Sequence, residues 1–208
     1  RDVGLFADLR GILCASRLFV LIASTAIAGI GALGIWLCSA WIENYYVVPF
    51  ILGVICLPMI AMGDLLQGLA RANSWALFAL SPTYLVWPVL ILVCMALMLA
   101  MGYAPDARTA IFASIAATYA TTLGQFMGVT ARIDRKLAPG PMKVHFAQWF
   151  MVSLPIFLVE SFFFLLTNAD VLMVGAYLQP NDVAVYFATV KTLALVHFVY
   201  FSVKAGVA

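Results

Sequence analysis

The chain has 208 residues, of which 65% are hydrophobic and 10% charged, with a net charge of +2 and a mean hydropathy of +1.08. Soluble domains carry about 25% charged residues, so this chain has too few charges for a water-exposed surface and is predicted to lie in a lipid bilayer. Its cations are dispersed among apolar segments and indicate no nucleic-acid partner. Its cysteines are isolated and indicate no metal site: Cys14, Cys38, Cys56 and Cys94.

Apolar segments then follow one another along the chain. Residues 1–16 are predicted to form an amphipathic lead-in at the inner membrane surface. Six segments follow, each with the length of about 20 apolar residues that a membrane-spanning helix needs. They are residues 18–40, 47–70, 75–103, 109–131, 146–178 and 183–203. None shows the alternation that is typical of β-barrel strands, so the sequence predicts an all-α integral membrane protein with six transmembrane helices.

The distribution of lysine and arginine predicts the orientation of these spans. If residue 1 is cytoplasmic, nine of the 11 Lys and Arg residues lie inside, Arg108 lies outside and Lys191 lies within a span. The basic segment 131–148, with its Pro-Gly-Pro turn, is then a cytoplasmic linker. We therefore expect residues 1–130 to belong to an N-terminal lobe with four spans, and residues 149–208 to start a second lobe with two.

Prolines and glycines indicate bent, closely packed helices. Pro58, Pro82, Pro88 and Pro155 lie within spans, where each removes a backbone donor and bends its helix. Broken helices are common in transporters, although prolines are also frequent in membrane helices in general. The GxxxG pattern at residues 124–128 predicts close packing within the bundle, with dimerisation as the alternative.

Charged residues within the fifth and sixth spans are the first candidates for a site. A charge at the bilayer centre costs about 2.5–3.5 kcal/mol, so such groups face a protein interior or a water-filled cavity. Helical rise places Asp170 about 12 Å and Lys191 about 13 Å below the outer surface, on antiparallel neighbours, and this predicts that they pair. The pair is either structural, or it lines a substrate-binding cavity together with Glu160.

A second candidate set lies near the cytoplasmic side. Asp64, Gln67 and Arg71 follow at i, i+3 and i+7 on one helix face, which indicates a gate or cavity lining, or else an interfacial polar stripe. His197 is a further candidate for the cavity wall, with a simple helix contact as the alternative. No catalytic constellation, phosphate-binding loop or metal-ligand spacing occurs in the sequence, so we expect neither an enzyme nor a cofactor.

Two stretches resemble polysaccharide flippases of the multidrug/oligosaccharidyl-lipid/polysaccharide exporter (MOP) superfamily, which includes lipopolysaccharide biosynthesis proteins. One is residues 167–206, beginning TNADVLMVG. The other is residues 63–92, GDLLQGLARANSWALFALSPTYLVWPVLIL, which resembles the passage from the fourth to the fifth helix of these proteins. The first stretch matches the family pattern of an aspartate, a glycine, a turn, a valine and a tyrosine at Asp170, Gly175, Val183, Tyr186 and Ala188.

This resemblance implies a transporter of 12 or more helices in two MATE-like lobes, of which the chain would hold helices three to eight. The implied substrate is an undecaprenyl-diphosphate-linked oligosaccharide, flipped across the bacterial inner membrane for surface polysaccharide or lipopolysaccharide biosynthesis, with H⁺ or Na⁺ as a possible coupling ion. Lys191 would attract the diphosphate. A cavity dominated by Glu160 and Asp170 would instead favour a MATE-type multidrug/cation antiporter. A non-transporting membrane scaffold would have no water-filled cavity and only paired charges.

Overall fold

A computed structural model describes residues 2–38, 44–137 and 140–207, and the side chains of residues 7–38, 47–137 and 140–193. All regular structure in these residues is helical. Seven α-helices follow in chain order, with one π-helical turn, Pro82–Val86, between the third and the fourth. They are α1 (Asp2–Leu37), α2 (Asn44–Ala72), α3 (Ala76–Ser81), α4 (Trp87–Ala100), α5 (Ala107–Lys136), α6 (Phe146–Tyr177) and α7 (Pro180–Val207).

Within the part of the chain that the structure describes, four helical segments are long and apolar enough to cross a membrane, which indicates a multi-pass membrane protein. They are Ala7–Leu37, Val47–Ala72, Ala76–Ala100 and Phe146–Tyr177. The other two predicted spans, 109–131 and 183–203, lie in α5 and α7 and are not among these four. Serine, threonine and glutamine dilute the apolar residues of α5, and the side chains of α7 are described only as far as Leu193.

The N-terminal helix differs from the predicted lead-in followed by a span. α1 is one continuous helix of 36 residues, because no proline interrupts residues 2–37. Its first part does not lie free on a surface, since Ala7 and Leu13 are buried. Residues 140–145 run beside it: the Lys143 N–H donates to the Ala7 carbonyl (3.1 Å), and a Cβ on Gly11 would overlap the Lys143 carbonyl.

The chain divides into two compact units, Arg1–Phe146 and Ala147–Ala208. In the first unit, α2 packs against α1 and α5, and α5 packs against α4. The predicted linker 131–148 begins later than expected, because α5 continues to Lys136. The core lies where α1, α2, α3 and α5 meet, and it consists of Leu13, Met62, Leu66, Ala70, Ala79, Val129 and Ile133.

A tight turn joins α2 to α3 at one end of this core. The Ser74 N–H donates to the Arg71 carbonyl and the Trp75 N–H to the Ala70 carbonyl, both at 2.9 Å. This is a Schellman motif, which requires a left-handed residue after the helix. Ser74 takes that position with φ 59°, where glycine is the usual choice.

Cations of α5 cover the same turn. The Arg132 guanidinium stacks 3.8 Å from the centre of the Phe78 ring, and Lys136 Nζ lies 4.8 Å from the centre of the Trp75 ring. Positive charge in the last turn of a helix also interacts favourably with the helix dipole. These contacts hold the end of α5 against the α2–α3 turn.

Candidate functional site

A mostly apolar cavity of about 470 Å³ lies within the first unit, between α2, the π-helical turn, α4 and α5. Its volume falls in the range of small-molecule sites, about 300–1,000 Å³. Much of its wall is apolar, but several polar side chains from all four elements face it. They are Asp64, Thr83, Trp87, Ser114, Thr118, Thr121, Thr122 and Gln125.

The proline of the π-helical turn explains one of these polar groups. Pro82 has no N–H to donate to the Phe78 carbonyl, four residues earlier. Gln125 of α5 replaces the missing donor: its Nε2 lies 3.1 Å from the Phe78 oxygen, and the glutamine is only 6% exposed. Membrane helices tolerate proline when a neighbour satisfies the freed carbonyl in this way.

α5 also donates hydrogen bonds to carbonyls of α2 near Pro58, although neither is the Val54 carbonyl that this proline leaves without its helical donor. Close to the proline, the Tyr119 hydroxyl donates to the Ile55 carbonyl (3.1 Å), and the Thr122 hydroxyl donates to the Met59 carbonyl (3.2 Å). α5 therefore donates hydrogen bonds to backbone carbonyls of α2 and α3, and two of the three donors, Thr122 and Gln125, line the cavity.

The hydroxyls of α5 have different hydrogen-bonding states. Thr118 is fully engaged: Trp87 Nε1 donates to its Oγ1 at 3.0 Å, and this hydroxyl donates to the Ser114 carbonyl at 2.8 Å. The Thr121 hydroxyl is buried without a hydrogen-bond partner. A buried hydroxyl with no partner is costly, and the Thr121 oxygen is covered by protein although the residue lines the cavity.

The structure separates the three residues that the sequence placed on one face of α2. Asp64 is exposed and lines the cavity. Gln67 is buried, with 6% exposure, and does not belong to the cavity wall. Arg71 is exposed in the last turn of α2, also outside the cavity. Of the predicted gate residues, Asp64 alone therefore lies at this site.

In the second unit, the predicted Asp170–Lys191 pair is wrong. Tyr186 donates its hydroxyl proton to Asp170 Oδ2 at 2.9 Å, and the described side chains form no ion pair between Asp170 and Lys191. The physical reason is the register of α7 along α6. α7 begins at Pro180, so Tyr186 is six residues into the helix and matches Asp170, seven residues before the end of α6. Lys191 is 11 residues in, about 16 Å from the start of α7.

The remaining predicted residues of this unit do not form a cluster. Lys191 is exposed and its Nζ lies 5.0 Å from the centre of the Phe187 ring, one turn earlier. Glu160 is exposed on α6, ten residues and about 15 Å along the helix from Asp170. The side chain of His197 lies outside the described residues. Whether these groups bind substrate stays a prediction.

The sequence analysis did not identify the polar residues of α5 as part of a site. Their spacing was the available signal: positions 114, 118, 121, 122 and 125 recur at intervals of about one helical turn and therefore share one face. A charged residue within a span has a large free-energy cost and therefore indicates a site. Threonine and glutamine cost less and are also found at ordinary helix–helix contacts, so they do not indicate a site by themselves.

No family model, no curated protein and no solved structure matches this chain.

Proposed function

We propose that the chain is part of a membrane transporter that flips an undecaprenyl-diphosphate-linked oligosaccharide across the bacterial inner membrane. On this proposal α5 and α7 also cross the membrane, which gives six spans, and the chain is a piece of a 12-helix protein with two MATE-like lobes. The lobes alternate between states open to either side, as broken-helix transporters do.

The observation that carries the proposal is the cavity between α2, the π-helical turn, α4 and α5, a mostly apolar space with a carboxylate, hydroxyls and an amide in its wall. Irregular backbone at membrane depth is tolerated where it lines a cavity or is buried in protein. Here Pro58 and Pro82 both lie in helical segments that border the cavity, and Gln125 of α5 satisfies the Phe78 carbonyl that Pro82 frees. A scaffold needs no cavity of this size.

The substrate class follows from the family resemblance and from Lys191. This lysine is exposed and forms no ion pair among the described residues, so its charge is available to an anion. A diphosphate attracts an ammonium group strongly when water is partly excluded. Asp170 accepts a hydrogen bond from Tyr186 and does not compete with the anion for Lys191.

A cation antiporter is the second candidate, and one observation favours it. Asp64 is the charged side chain that lines the cavity of the first unit. A carboxylate in a partly apolar cavity attracts cations and repels diphosphate. The sign of charge that transport requires therefore distinguishes the two functions.

The test uses the full-length protein in proteoliposomes and two probes: a fluorescent undecaprenyl-diphosphate glycan and ethidium. For a flippase, the glycan should move and Lys191→Gln should slow it by about tenfold or more, since a charge-assisted bond is lost. For an antiporter, ethidium should move and Asp64→Asn should be the damaging change.

Asp106→Asn is the matched control, because Asp106 is the N-cap of α5 outside the cavity and asparagine caps a helix about as well as aspartate does. It should leave the transport of either probe within about twofold of wild type. Movement of ethidium alone would exclude the flippase, and movement of neither probe in well-inserted protein would favour the scaffold.

A further inference from the structure

A second pocket, of about 700 Å³, lies at another place in the first unit. Its walls are the first half of α1, the last turns of α5 and residues 140–142. It contains Arg10, Arg17 and Asp134, and otherwise mainly apolar side chains. None of these residues lines the first cavity, between α2, the π-helical turn, α4 and α5.

The two arginines point to an anionic ligand. They are seven residues apart on α1, so they share one helix face about 10 Å apart along the axis. Arg10 Nη1 donates to the Pro141 carbonyl at 3.3 Å, but its Nε is buried without a partner. The Arg17 guanidinium stacks on Phe126 at 5.2 Å, and its Nε and Nη2 are buried without a hydrogen bond.

Buried guanidinium N–H groups without an acceptor are costly, more so than neutral donors. The guanidinium fork matches phosphate oxygens in geometry as well as in charge. Asp134 is near enough to attract Arg17 electrostatically, but among the described residues it forms no ion pair with either arginine. The two cations and one carboxylate give the pocket a net charge of +1, which matches one phosphodiester better than a diphosphate.

The surroundings indicate that the phosphodiester belongs to a lipid. Arg17 is the last charged residue before the uncharged stretch 18–40, so it lies where a membrane span begins and headgroups are found. Leu18 and Met142 line the pocket and are 58% and 59% exposed. They offer an apolar wall to the glycerol and the first methylenes of an acyl chain, which a soluble phosphate lacks.

We propose that this pocket binds the phosphodiester headgroup of a membrane phospholipid, held by Arg10 and Arg17, with the acyl chains along the apolar wall. The site is independent of the transported substrate, and its test does not require transport.

The affinity of the full chain for dioleoyl phosphatidylglycerol is measured in detergent, as the lipid concentration that gives half-maximal thermal protection. Arg10→Gln with Arg17→Gln should weaken it by about tenfold or more. The control Arg108→Gln with Arg135→Gln removes the same charge outside the pocket and should change it by less than about twofold. Equal weakening by both pairs would overturn the proposal, as would no weakening by the first.

Two further arms keep the proposal testable if the pocket variant does not fold. Inorganic phosphate and diphosphate, added to the wild-type chain without lipid, should give no protection; protection equal to that by lipid would mean a soluble-anion site instead. Phosphatidylglycerol with a photoreactive headgroup should label wild-type peptides covering residues 10–21 or 133–142. Labelling confined to other peptides would refute the assignment.

Discussion

The hydrogen bond between Gln125 and the Phe78 carbonyl allows a direct test of why a polar residue lies in α5. Gln125→Leu keeps the side-chain volume nearly constant and removes the donor. The carbonyl is then left without a partner, because Pro82 cannot supply an N–H. An unsatisfied buried group costs about 1–3 kcal/mol, but polar contacts between membrane helices average about 0.6 kcal/mol and reach about 1.7. We expect a loss of about 1–2 kcal/mol in unfolding free energy.

The second substitution makes this prediction specific. Ser81 and Pro82 have helical backbone angles, so Pro82→Ala restores an N–H aimed at Phe78. In that background Gln125→Leu should cost about 0.5 kcal/mol or less, since the carbonyl has regained a donor. The assay is equilibrium unfolding by SDS in dodecylmaltoside micelles, followed by helical circular dichroism, with exposed Gln148→Leu as the control. An equal cost in both backgrounds would refute the compensation.

Two further predictions concern packing and capping. A Cβ on Gly128 would lie 2.7 Å from Phe78 Cε1, so Gly128→Ala should cost about 1–3 kcal/mol in the same unfolding assay. Gly124→Ala meets open space and should be neutral or slightly stabilising; an equal cost at both glycines would contradict the packing argument. Asp106 caps α5, and the backbone N–H and hydroxyl of Thr109 hold the pKa of its carboxyl below the ordinary value. Its stabilisation is therefore complete above about pH 3.9 and is lost as the pH falls through the lowered pKa, so Asp106→Ala should destabilise at pH 7 and progressively less in acid.

The apolar pattern predicts the helices of this protein well, because span length and hydrophobicity are local properties. The predicted span 47–70 corresponds to α2, and the predicted span 146–178 to α6. Interruptions within a helix are harder to predict. Proline indicates that a helix bends, but whether it bends, breaks or shifts into a π-helical turn, as at Pro82–Val86, depends on which neighbours satisfy the freed carbonyls.

The candidate site was predicted less completely, because a side-chain contact depends on register to within one residue. A start of α7 at Pro180 instead of at residue 183 is enough to change the partner of Asp170 from Lys191 to Tyr186. The pair was predicted from the depth of each residue along its helix, without the direction in which its side chain points. Five residues separate Tyr186 from Lys191, which turns the lysine about 140° around the helix from the tyrosine.

The polar face of α5 has a consequence for how the protein enters the membrane. α5 is the least apolar of the long helices in the first unit and follows α2, α3 and α4, on which it packs, in the chain. The carbonyls of Ile55, Met59 and Phe78, which its side chains engage, belong to segments synthesised earlier. If α5 crosses the membrane, as we propose, it would emerge from the ribosome after the segments that hold its acceptors. The order of the chain would then let a weakly hydrophobic helix insert against partners already made, and moving α5 ahead of α2 by circular permutation should remove that assistance.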